Sequence, residues 1–200
     1  MKKLLTLITA LALCASLTAC NSAPEASRFE GLELAKIHTD RITYNTLDSI
    51  ESASDIAVIG EFIDEPVQNG KYTSLPAFDH EVISSVTSTG TLKISRVLKG
   101  NINSGDEIKV SVRYGVVDGQ LITFSALTPM QKGDEWVFFL KKQENADIYW
   151  LCGDSDGRYP TKRSADNEIM PLSEAPELGV YDESDFNRAI YDELVKKYGI

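Results

Sequence analysis

The chain has 200 residues, 42% hydrophobic and 25% charged, with 13 Gly and 7 Pro. That composition excludes a disordered, collagenous or polytopic membrane chain. Its 20 basic and 30 acidic residues give a net charge of −10, so no basic stripe can displace phosphate counterions, and no nucleic-acid partner is expected. Three Cys and two His leave little for metal or thiol chemistry, and neither a metal nor another cofactor is expected.

Met1-Lys2-Lys3 is a short basic start, followed by an apolar run from Leu4 to Leu17. This is the length of a signal-peptide core and falls short of the roughly 20 apolar residues that a spanning helix needs. The run closes in Leu17-Thr18-Ala19-Cys20, which resembles the lipobox of bacterial lipoproteins. The resemblance implies cleavage between Ala19 and Cys20, diacylglycerol on the Cys20 thiol, and attachment to the membrane through that lipid. Loss of Lys2 and Lys3 with the leader would move the net charge from −10 to −12. It would also leave Cys152 as the one thiol of the folded part, which excludes an intrachain disulfide. The expected organisation is a leader over 1–19, an anchor and tether over 20–41, a barrel domain over 42–163, and an acidic connector with a terminal helix over 164–200.

Within 42–55, Leu47, Ile50 and Ala53 recur at helical spacing behind Asn45 or Thr46 as the cap. Asp55 to Ile63 is apolar on both faces, a buried strand. Glu65 to Asp79 contains Pro66, Asn69-Gly70 and Pro76 and reads as a loop. Glu81 to Leu98 reads as one long bent strand or as two meeting at Gly90. Its alternation slips at Ser95-Arg96, the mark of a β-bulge. Ile108, Val110, Val112 and Tyr114 alternate with polar residues as a half-buried strand. Asp118-Gly119 suits a tight hairpin returning through Gln120 to Ala126. Glu135 to Lys141 is a second strand apolar on both faces, and Ile148 to Cys152 is its partner. Ile148, Trp150 and Cys152 share the side expected to be core, which would make Cys152 inert. Tyr159 begins an edge strand. Residues 164–187 carry seven acids and no base, expected to be a solvated connector rather than a cation site. The chain closes with a helix over 185–198.

The elements sum to a mainly β, OB-like barrel of five or six strands, with a short helix before it and a longer one at the C-terminus. The chain also resembles a family of small Gram-positive cell-surface lipoproteins of uncharacterised function. That resemblance rests on Asp55 to Gly60, Ile94 to Gly100, Gly105 to Val110 and Lys132 to Leu140, and it covers about residues 43–160. It implies a netrin-like OB barrel and no reaction.

Gly153-Asp154-Ser155-Asp156-Gly157 matches the G-x-S-x-G pattern of a serine nucleophile. A nucleophile elbow needs a helix after the serine, which Arg158-Tyr159-Pro160 does not offer, and a histidine after it, whereas His38 and His80 both precede it. A carboxylate at Asp156 would also oppose a developing oxyanion. A Gly/Asp-rich hairpin turn is therefore expected, with no catalytic residue, and a serine hydrolase using Ser155 is the alternative. The same turn lacks the further ligands of a calcium loop. The expected function is a non-catalytic, lipid-anchored module binding an extracellular peptide, glycan or protein. Its candidate surface holds Lys71, Tyr72, Phe78, Arg113, Tyr114 and the Asp118-Gly119 turn.

Overall fold

The computed structural model describes residues 29, 31–37, 42–74, 81–124, 129–133, 135–161 and 188–200. Ala19, Cys20, the tether as far as Arg28, both histidines, Phe78 and the acidic run to 187 lie outside them, as do the side chains of Lys71, Tyr72 and Ser155. The chain divides into Met1–Glu30 and Gly31–Ile200, and the second unit carries every described strand and helix.

Helix α1 spans Leu47–Ala53. Thr46 stays extended ahead of it, and its hydroxyl accepts the Ser49 amide at 3.2 Å while Ser49 Oγ accepts the Thr46 amide at 3.3 Å. This reciprocal pair satisfies amides that the first turn cannot use, so the cap falls on Thr46. The C-terminal carbonyls of Glu51 and Ser54 accept from the Lys99 ammonium, a cation where the helix dipole favours one.

The barrel is built from β2 (Ile56–Phe62), β4 (Glu81–Lys99), β5 (Glu107–Val112), β8 (Glu135–Lys142) and β9 (Ile148–Leu151). They run in the order β8-β2-β4-β5-β9, and β9 pairs back to β8, closing five strands into a mainly β barrel. The neighbours are antiparallel except β5 and β9, which are parallel. A closed five-stranded barrel is the OB-like architecture expected from the sequence. The double apolarity of β2 and β8 now has its reason. Ala57, Ile59, Val137 and Phe139 face outward into one buried cluster with Leu47 and Ile50 of α1 and with Ile190 and Leu194 of helix α2 (Arg188–Tyr198). Ile56, Val58, Phe138 and Leu140 take the alternate, inward positions, where Phe62 meets Phe138 edge to face at 5.9 Å. The terminal helix thus packs on the barrel as part of one core.

β4 is a single strand of 19 residues. Ile59 pairs with Arg96 and Gly60 with Ile94, so Ser95 is the extra residue of the expected bulge. A second shift, between Ala57 and Val58, was not legible in the alternation. At Gly90 a Cβ would stand 2.6 Å from the Phe62 ring, so the strand passes where only glycine fits.

Three expectations need correction. The loop drawn over 65–79 contains β3 (Val67–Ser74), antiparallel to the first half of β4. Asn69-Gly70 sits inside that ladder, opposite Thr87 and Val86, and makes no turn. The first half of β4 runs on past the end of β2 and would otherwise present a bare edge on that side, which β3 covers. The segment drawn as tether to 41 contains β1 (Glu33–Ile37), parallel to β7 (Gln120–Phe124). The strand expected from Ile108 through Tyr114 breaks at Arg113 into β5 and β6 (Tyr114–Val117), and β6, β7 and β1 form a separate three-stranded sheet. The hairpin between β6 and β7 does turn at Asp118-Gly119, with φ of 50° and 79°, both left-handed as a two-residue turn requires.

The small sheet is fastened to β3 by a side chain. Gln68 Oε1 accepts the Val116 amide at 2.6 Å, and Gln68 Nε2 donates to the Val116 carbonyl at 2.7 Å. One amide side chain thus takes the place of a strand residue. Gly115 lies at the crossing, where a Cβ would come within 2.2 Å of Val86 Cγ2.

Candidate functional site

The Gly153–Gly157 motif forms where two strands share one edge. β9 and β10 (Arg158–Pro160) both run antiparallel to β8, with Leu151 opposite Leu140 and Arg158 opposite Phe138. Between them the Cys152 amide donates to the Phe139 carbonyl at 3.0 Å, and Asp154–Gly157 form one 3-10 turn. The expected hairpin turn is therefore an excursion from a nearly continuous strand. Gly153 has φ +66°, and a Cβ there would be 2.7 Å from the Ile42 carbonyl.

Both carboxylates of the motif are committed to holding this turn. Asp156 is buried and accepts the Tyr44 amide at 3.1 Å, which ties the turn to the segment before α1. Asp154 lies 3.5 Å from the Arg113 guanidinium, which stacks 4.3 Å over the Phe124 ring. The turn leads directly into β10 and not into a helix, so the strand-turn-helix frame of a nucleophile elbow is not formed. Burial raises the Tyr44 phenol above its ordinary value, with Cys152 and Asp156 adding to the rise.

Cys152 is buried, and burial pushes its thiol up to about 11. It lies, as expected, in a buried core cluster, the one that Phe139, Tyr159, Ile190 and Leu194 form on the outer wall of the barrel. Trp150 pairs with Ser111, and Ile148 with the exposed Lys109, so this side of β9 is the outside of the barrel. The helices and Tyr159 cover it at Cys152, while Trp150 stays half-exposed and donates through Nε1 to Gln143 at 3.1 Å.

The proposed binding surface is not assembled as drawn. Tyr114 has no exposed area, and its hydroxyl donates to the Met130 carbonyl at 2.8 Å, so it is a core residue. Arg113 is half-exposed and engaged by Asp154 and Phe124. Lys71 and Tyr72 lie on β3 by backbone position.

Sequence reasoning missed the cluster between the two helices. Glu51 accepts from Lys197 Nζ at 2.9 and 2.6 Å and from the Tyr198 hydroxyl at 2.5 Å. Glu193 accepts the Leu47 amide at 3.1 Å. A groove of about 360 Å³ runs between these helices. The hydrogen bond to Glu51 raises the Lys197 ammonium, and burial followed by Glu51 raises the Tyr198 phenol. The sequence separation is 146 residues for both Leu47–Glu193 and Glu51–Lys197, so no local pattern announces either pair. Among the described residues no group of His, Cys, Asp and Glu could hold a metal ion, and no described helix is long and apolar enough to cross a membrane.

No protein-family model matches the chain, and no curated protein matches it. The fold itself defines the class: an OB-like barrel with helices packed on one wall.

Proposed function

We propose that the chain is exported, is anchored through a lipid on Cys20 at the extracytoplasmic face of the cell membrane, and acts there as a non-catalytic module for a peptide, glycan or protein partner. The single observation that carries the anchoring is Leu17-Thr18-Ala19-Cys20 closing an apolar core behind Lys2 and Lys3. The likeness to small Gram-positive surface lipoproteins belongs to the same proposal and is compatible with an OB-like barrel. Metabolic labelling with a palmitate analogue tests the anchor: label that depends on Cys20 supports it, and an unlabelled wild type overturns it.

The non-catalytic reading is supported by the Gly153–Gly157 turn, whose Asp154 and Asp156 are taken up by Arg113 and by the Tyr44 amide. A buried carboxylate next to Ser155 in sequence is the wrong charge for stabilising an oxyanion. The test is a fluorophosphonate probe on purified protein. No labelling is expected, and labelling abolished by Ser155→Ala in a folded variant would establish the hydrolase instead.

A further inference from the structure

We draw no further inference here: the strongest candidate, the groove of about 360 Å³ between α1 and α2 lined by Leu47, Asp48, Glu51, Glu193, Lys196 and Lys197, has Glu51 already bonded to Lys197 and Glu193 to the Leu47 amide, and nothing in the structure shows what covers it.

Discussion

Glu51 of α1 is joined to Tyr198 of α2 by a hydrogen bond of 2.5 Å across 147 residues of sequence. Lys197 binds the same carboxylate, which is nearly buried. The contact fixes the C-terminal helix against the N-terminal one, and both lie over the outer faces of β2 and β8. Helix, strand and distant helix thus form one packed unit around the barrel wall.

Replacing Glu51 by Ala removes that acceptor from two donors. Hydrogen bonds to a charged group contribute about 1.5–3 kcal/mol, but Lys197 is half-exposed and its ionic part is screened. A loss of about 1–2 kcal/mol in urea unfolding is expected. Asp147→Ala is the contrast, because Asp147 is 93% exposed in its pair with Lys142. Its effect should stay within about 0.5 kcal/mol, as for other exposed pairs.

Trp136 is 4% exposed on β8, and the Arg158 guanidinium stacks 4.5 Å from its ring. Trp136→Ala should cost about 3–5 kcal/mol, the range for a buried large aromatic. The denaturant midpoint checks it, and a loss under about 1 kcal/mol would contradict a core role.

Gly115→Ala tests the crossing of β6 over β4. The added methyl would meet Val86 Cγ2 at 2.2 Å, too close for any real contact, so either Val86 moves or the strands separate. Overpacking of this kind costs about 1–3 kcal/mol. Gly119→Ala should disturb no packing, since a Cβ there would meet no atom beyond its chain neighbours within 4 Å, although its φ of +79° adds backbone strain.

The barrel was largely legible because its strands show either alternation or short runs apolar on both faces. Asp55 to Ile63 and Glu135 to Lys141 are apolar on both faces only because one face lines the barrel and the other meets the helices. The bulge at Ser95 was visible as a slip in alternation. β3 was not legible, because Pro66 and Asn69-Gly70 are turn residues locally and only the overhanging edge of β4 makes that segment a strand. β1 has five residues and pairs with a strand 87 positions away. Tyr114 opens β6 after the break at Arg113, and its ring is fully buried with the hydroxyl on the Met130 carbonyl.

Stability should fall at alkaline pH. The folded state holds the Cys152 proton up to about 11 against 9.0 in its ordinary state, because burial penalises the thiolate. The Lys197 ammonium and the Tyr198 phenol are shifted up as well. Each group binds its proton more tightly folded than unfolded, so the stabilisation is complete below the unfolded value and is lost as pH rises through the folded one. Melting temperature should therefore decline above about pH 9, and Cys152→Ala should make the decline shallower. An equal slope in the variant would contradict the assignment to the thiol. Under native conditions an Ellman-type reagent should leave Cys152 unmodified, and denaturation should expose it to stoichiometric labelling.

The central proposal is a barrel held at the membrane through Cys20, and detergent phase partitioning of wild type and Cys20→Ser, with mass analysis of the mature N-terminus, tests it most directly. The wild type should enter the detergent phase with a lipid-bearing Cys20 as its first residue, and Cys20→Ser should remain aqueous or uncleaved. Equal partitioning of the two proteins, or a mature wild type beginning at another residue, would contradict it.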